Sequence, residues 1–353
     1  MTRARVTRTQ SLMAMLPFVM MGIIAAADIL AGSQYVFLSL LAIGPAFASL
    51  VGGIRRTVLI GLIALALSLL LALYNDLLRA PESDLSLISI SGVTAASILA
   101  TAGRQRRERE LANVRSVAEV AQRVLLRPVP RRAGHLRAAV SYTSAAAEAR
   151  IGGDLYEVVT GPSGVRVIVG DVQGKGLEAV ETAALVLGAF REAAHDEPDL
   201  LGVSARVEKA LNRRLTGEDF VTAILAEAHP DGTLTLLNYG HPAPLIIRAD
   251  GGTAFVEPDT FAPPLGLAVL EVPGPTPSQI PFGTGDQVLL YTDGVIEARD
   301  RAGRFYPLAD RAHLLKEDDP EVALESLRVD LVAHVDAPLH DDAAMLLLRC
   351  RRF

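Results

Sequence analysis

The first hundred residues alternate between long apolar stretches and short polar breaks. The apolar stretches cover 11–29, 35–51, 57–74 and 85–102, and Asp28 is the only charged residue inside them. Each is close to the ~20 residues that cross a hydrocarbon core as a helix. None shows the polar face of a helix that rests on a soluble core. The pattern predicts an all-α transmembrane domain of four helices over residues 1–103. A cleaved signal peptide would explain only the first stretch, and no small-residue cleavage pattern follows it. Arg3, Arg5 and Arg8 precede the first stretch, Arg55 and Arg56 follow the second, and Arg104, Arg106 and Arg107 follow the fourth. The loop 75–84 holds Asp76, Glu82 and Asp84 against Arg79. Basic loops stay on the cytoplasmic side. The expectation is therefore a multi-pass cell-membrane protein whose N-terminus and everything after residue 103 are cytoplasmic. The connections are too short for an extracellular sensor domain.

At residue 104 the pattern changes. A helix is predicted over 104–127, stopped by Pro128 and Pro130. Leu111, Val114, Ala118, Ala121 and Leu125 recur at steps of three and four. Such a seam suits a short coiled coil, and so a homodimer through the linker at 104–133. It equally suits an amphipathic helix lying on its own domain or on the membrane surface. Beyond 134, short runs rich in Val, Leu and Ile at 165–169, 221–228, 233–238, 243–248, 287–292 and 343–349 read as strands. Helical patterns occupy 174–195, 199–215 and 320–335. Strands in runs and helices in runs predict an α+β domain over 134–353, sheet packed on sheet. The Pro-rich segment 256–281 reads as a loop over one edge.

Composition narrows this further. The hydrophobic share is 50% and mean hydropathy +0.32, an excess that the first hundred residues supply. A net charge of −6 argues against nucleic acid as a general partner. The single cysteine, Cys350, excludes an intramolecular disulfide and a cysteine zinc cage.

The chemistry lies in four acidic motifs at strand boundaries. Gly152-Gly153-Asp154-Leu155-Tyr156-Glu157 precedes an apolar run, and Gly170-Asp171-Val172-Gln173-Gly174-Lys175-Gly176 closes the run 165–169. Tyr291-Thr292-Asp293-Gly294 closes 287–292, and Asp341-Asp342 opens 343–349. Each motif alone has an ordinary reading as a turn. Together, several carboxylates at one place need compensation, and hard divalent cations supply it. The glycine loop is not a Walker loop, because three residues separate Gly170 from Gly174 and Gly176 follows Lys175. Nor does it have dinucleotide-binding spacing.

With Phe220-Val221-Thr222-Ala223, Asn238-Tyr239-Gly240-His241-Pro242 and Pro264-Leu265-Gly266 between them, these motifs occur in the order found in the metal-dependent serine/threonine phosphatases of the protein phosphatase 2C type. Residues 134–353 resemble that family, and most of all its bacterial sporulation-stage-II-E and stress-response branch; the motif there begins at Ala149-Arg150-Ile151. The resemblance implies an α-β-β-α sandwich carrying two Mn²⁺ or Mg²⁺ ions. Asp171 would bridge both ions, Asp154 and the Val172 carbonyl would hold one, and Asp293 with Asp341 the other. These four aspartates would be the catalytic set, hydrolysing phosphoserine or phosphothreonine on a cytoplasmic protein by an activated water. The implied substrate is a phosphorylated anti-sigma-factor antagonist.

Several residues depart from the pattern or stay open. Gln173 stands where eukaryotic relatives place a histidine, so this loop offers no acid for the leaving group. Glu157 replaces a frequent Asp, and Ala344 a frequent hydroxyl residue. Lys175 suits phosphate or solvent, Arg150 a phosphate or a surface ion pair, and His241 a structural hydrogen bond ahead of catalysis. Two other classes compete: a regulatory or scaffold protein with the fold and no turnover, and a di-guanylate cyclase suggested by Gly152-Gly153-Asp154 alone.

Overall fold

The structure is a computed structural model that describes residues 2–31, 37–77, 80–144, 152–214, 219–267, 274–335, 339 and 341–351. The start of the second apolar stretch, Arg79, and Ala149-Arg150-Ile151 lie outside the described residues, as do the side chains of Arg3, Arg5 and Arg8. The chain forms two compact units, Met1–Asn113 and Val114–Phe353.

The first unit holds helices α1 (Thr2–Ala31), α2 (Ile43–Val51), α3 (Ile54–Tyr74) and the first part of α4 (Pro81–Leu125). Met21, Leu38, Leu41, Ile60, Ala64 and Ile90 form its core. Among the described residues, two helical segments, Ile54–Tyr74 and Pro81–Gln122, are long and apolar enough to cross a membrane by length and composition. This is fewer than the four apolar stretches led us to expect. The second stretch breaks into a 3-10 turn, Leu38–Ala42, and the nine-residue α2, with Pro45 in its first turn. A proline there has no N–H to continue the helix from the preceding turn. Asp28 is buried and accepts hydrogen bonds from the Phe37 amide at 3.1 Å and from Asn75 Nδ2 at 2.9 Å. At the junction of α2 and α3, Arg104 donates to the carbonyls of Leu50 and Gly52. The basic start of 104–107 therefore lies beside Arg55 and Arg56.

The second unit begins with the last turns of α4. It continues with strands β1 (Arg132–Ala133), β2 (Leu136–Thr143), β3 (Leu155–Thr160) and β4 (Val165–Val172), and helices α5 (Leu177–Asp196) and α6 (Leu200–Leu211). Next come β5 (Val221–Ala228), β6 (Thr233–Tyr239), β7 (Leu245–Ile247), β8 (Thr253–Phe255), β9 (Ser278–Pro281) and β10 (Gln287–Tyr291). Two short helices, α7 (Asp293–Ile296) and α8 (Leu308–Arg311), lead to α9 (Pro320–Val335) and β11 (Ala343–Cys350). One sheet has the order β1-β2-β11-β10-β7-β8, the other β3-β4-β5-β6-β9, and every pairing is antiparallel.

Alternation along the strands builds three apolar layers. Val167 and Val169 of β4, with Ile224 and Leu236, meet Val288, Leu290, Leu346 and Leu348 between the sheets. Ile168, one position out of phase, faces Val186, Leu187 and Phe190 of α5 and Val203 and Val207 of α6. On the other side Leu289, Met345 and Leu347 face Leu324, Leu327 and Leu331 of α9. The result is an α-β-β-α sandwich.

The seam on α4 resolves differently along its length. Ala118 packs on Val180 of α5 with Ala121 and Leu125 against the same contact, so these three positions serve the helix's own domain. Val117, Val120 and Val124 remain exposed. On β4, Arg166 is fully buried; it donates to Glu227 Oε1 at 2.9 Å and to the carbonyls of Ala194 and Glu197, tying the end of α5 to the sheet. Removing one partner strands the other charge in the interior. Glu227→Ala should destabilise the second unit by about 3–5 kcal/mol in urea unfolding; a change under about 1 kcal/mol would show that the pair is replaceable.

Candidate functional site

The five residues expected to carry the chemistry come from four strand boundaries. Asp154 immediately precedes β3, and Asp171 and Val172 end β4 opposite Thr222 and Val221 of β5. Asp293 opens α7 two residues beyond β10, and Asp341 stands two residues before β11. β3 and β4 belong to one sheet, β10 and β11 to the other, so the group collects where the two sheets meet at one end of the sandwich.

Backbone approach there is close enough to demand glycine. A Cβ on Gly153 would stand 2.8 Å from Asp171 Oδ1 and collide with the Val172 carbonyl. A Cβ on Gly294 would overlap the Asp342 carbonyl. The glycines beside Asp154 and Asp293 are therefore set by this packing and not by a turn.

Burial and mutual repulsion dominate the electrostatics. Asp154 is buried, and burial first, then the charge of Asp171, hold its carboxyl well above the usual range; Thr292 opposes this with a hydroxyl donated at 2.9 Å. Asp171 is pushed up to about 7 by burial and by Asp293 and Asp341, with Lys175 opposing. Asp293 is raised by burial, then by Asp341. These groups feel one another as near neighbours, although among the described residues no three His, Cys, Asp or Glu side chains close around a single point. At Asp341, both carboxylate oxygens accept from Lys175 Nζ, at 2.7 and 2.8 Å. The donor set offers carboxylate and carbonyl oxygens only, which suits Mg²⁺ or Mn²⁺.

Two struts cross between the sheets. Thr292 is fully buried; its Oγ1 donates to Asp154 and accepts from the Ala344 amide at 3.0 Å. His241 Nε2–H donates to the Tyr291 carbonyl at 3.0 Å, leaving Nδ1 to accept from Thr222 Oγ1 at 3.1 Å. Burial lowers its pKa to about 4, so the ring is neutral. Thr222 stands opposite Asp171, and Tyr291 lies two residues before Asp293. His241 thus has the structural hydrogen bonds expected of it.

Residues 161–351 match the family described as stage II sporulation protein E (SpoIIE). The chain belongs to the SpoIIE family. It is 25% identical over 208 residues to the phosphoserine phosphatase RsbU of Bacillus subtilis, a match covering 57% of this chain and 60% of RsbU. The chain thus matches less than two thirds of that relative's length. Among solved structures it resembles the RsbU and RsbW domains of a Mycobacterium tuberculosis protein, at 26% identity and TM-score 0.51, over 61% of this chain and 60% of that one. The SiaA-PP2C domain of Pseudomonas aeruginosa shares the fold at 17% identity and TM-score 0.56, over 69% of this chain and 98% of that one. So does the PP2C phosphatase domain of SpoIIE from Bacillus subtilis with a fragment of its regulatory domain, at 15% identity and TM-score 0.52, over 61% and 62%.

Other residues beside these aspartates have contacts that sequence reasoning did not assign. Asp342, not Asp341, is the buried member of its pair; it accepts from the Gly152 amide at 3.1 Å and from the Tyr142 hydroxyl. Gln122 of α4 donates to Tyr142 Oη at 2.8 Å and to the Gly152 carbonyl at 3.1 Å. A polar residue amid the apolar positions of that helix was the only available signal for Gln122, and Tyr142 carried none. Glu157 pairs with Arg191 of α5, which also donates to the Leu125 carbonyl, so it serves packing. Gln173 is exposed, and its backbone amide is bonded to the Phe220 carbonyl at 2.9 Å. A cavity of about 300 Å³ adjoins Asp341, walled by Gly294, Ala298, Val335 and Leu339 with Glu297 and Arg299.

A carboxyl whose pKa is higher folded than unfolded holds its proton more tightly in the fold. Stability is then greatest below the unfolded value near 3.9 and falls as pH rises towards about 7. With divalent cations chelated, Asp171→Asn should stabilise the protein by on the order of 2–4 kcal/mol at pH 8. The gain should shrink towards zero as pH falls to about 4. Equal stability of variant and parent across denaturation curves from pH 4 to 8 would overturn the repulsion.

Proposed function

We propose that the chain is a membrane-anchored protein phosphatase that removes phosphate from phosphoserine or phosphothreonine on a cytoplasmic protein. The observation that carries this reading is the gathering of Asp154, Asp171, Asp293 and Asp341 from both sheets at one end of the sandwich, where burial and then acidic neighbours raise the carboxyls of Asp154, Asp171 and Asp293. Asp171 lies between the others electrically and is assigned the bridging position between two Mn²⁺ or Mg²⁺ ions. Asp154 and the Val172 carbonyl are assigned to one ion, Asp293 and Asp341 to the other. Bound there, such a pair supplies an activated water and countercharge for the phosphoryl oxygens. The protein's own part is to hold four carboxylates on rigid strand ends. The name of the RsbU relative supports phosphoserine as the group attacked. A phosphorylated anti-sigma-factor antagonist remains the partner implied by the family's branch.

Residues 1–103 are assigned to the membrane, 104–133 to a linker and 134–353 to the phosphatase. Large apolar side chains on the outside of the first unit, among them Leu30, Leu69, Leu73, Ile88 and Leu99, support burial in lipid. The arginines at 55, 56 and 104, grouped at one end, support a cytoplasmic face there. Val117, Val120 and Val124 leave an apolar strip on α4 that supports a homodimer through the linker.

Full-length chain should release phosphate from a phosphoserine protein only with Mn²⁺ or Mg²⁺. Asp171→Ala and Asp293→Ala should each lose about 10²-fold or more of that activity. Full activity in both variants would sink the assignment, and a parent chain that binds Mn²⁺ but releases no phosphate would favour a non-catalytic scaffold.

A further inference from the structure

Lys175 stands between two glycines that share an unusual backbone. Gly174 and Gly176 have φ of +98° and +95°, and a side chain at either would meet nothing within 4 Å. Glycine enters this region freely, whereas other residues are strained there. The lysine is thus carried between two glycines with open space around both. Its ammonium lies on both oxygens of Asp341, with the lysine side chain 34% and the aspartate 48% exposed. A pair this open to solvent holds weakly and exchanges readily. The same positive charge opposes the repulsion acting on Asp171 and Asp293.

We propose that Lys175 is a built-in counter-cation for Asp341 that yields its place to the divalent ion and then binds the phosphoryl oxygens of the substrate. This rests on the metal assignment above. A dication on that carboxylate weakens the ammonium's hold on Asp341, because the two cations repel at that distance. The displaced side chain remains four residues from Asp171, at the rim of the site, where a phosphate dianion is the strongest acceptor it can meet. Lysine serves phosphate well as a compact point charge on a long stem. The exchange would keep the carboxylate group partly neutralised in both states.

Two binding measurements on the full-length chain test this without turnover. Free Mn²⁺ is followed by electron paramagnetic resonance during titration of the parent, Lys175→Met and Lys175→Arg. Removing the competitor should tighten Mn²⁺ binding about two- to fivefold in Lys175→Met, while Lys175→Arg stays within about twofold of the parent. Inorganic phosphate is then titrated calorimetrically into the Mn²⁺-loaded proteins, and Lys175→Met should bind it about tenfold more weakly. Unchanged or weaker Mn²⁺ binding in Lys175→Met overturns the proposal, and so does unchanged phosphate affinity. A chain that shows both shifts yet releases no phosphate from phosphoserine proteins would overturn the proposed function and leave the lysine exchange standing.

Discussion

Like charges crowded at the meeting point of two sheets are the constraint on which the second unit depends. Carboxylates at close range either take up protons or need partners. The partners present are different for each aspartate. Asp154, the most buried of the four proposed ligands, receives the Thr292 hydroxyl. Asp342 is turned towards Tyr142 and the Gly152 amide. Asp341 receives Lys175. Asp171, between them, is pushed up to about 7 by burial and then by Asp293 and Asp341. That residue is also the one the family resemblance makes a bridge, and a dication is the strongest relief such a position can receive.

The surrounding fold can be read as the apparatus that keeps this repulsion from opening the site. Two apolar layers clamp the outer faces of the sheets, and a third lies between them. At the site itself apolar packing gives way to polar struts. Thr292 and His241 each reach from one sheet to the other and each ends within two residues of a proposed ligand. A neutral His241 suits this place, because a charged ring would donate a second hydrogen bond, from Nδ1 to Thr222 Oγ1, and the threonine hydroxyl would have to turn its own hydrogen elsewhere. Arg166 extends the same logic down β4 by fixing the strand that delivers Asp171 to the end of α5.

Much of this arrangement was legible in the residues, and what escaped has physical reasons. Runs such as 221–228 and 343–349 announce themselves because β-branched and aliphatic residues are buried on both faces of their strands. β2, Leu136–Thr143, does not, because Arg137, Ala138 and Ala139 interrupt its strand-favouring residues, although its pairing with β11 is long. The glycines beside Asp154 and Asp293 have an ordinary reading as turn residues; their cause in the structure is the approach of one backbone to another at Gly153 and Gly294. The helix expected over 174–195 begins at Leu177, since apolar content says nothing of the positive φ at Gly176. The carboxylates were found by their setting at strand ends, whereas Thr292 and Tyr142 could be assigned only once both sheets were in place.

The end of α4 alters the meaning of the linker. A seam read from spacing alone could face a second chain, a membrane or its own domain. Ala118, Ala121 and Leu125 take the last option. The Leu125 carbonyl receives Arg191, so the final turn is held by α5 as well as packed on it. Gln122, on the neighbouring turn, touches both Tyr142 and the Gly152 carbonyl, and these in turn hold Asp342. The last turns of this helix are therefore a wall of the carboxylate site and not a tether leading to it. Gly152 and Gly153 pack so closely on Asp342 and Val172 that neither admits a side chain. The Gln122 contact thus ends on the segment that carries Asp154, the residue that immediately follows the two glycines.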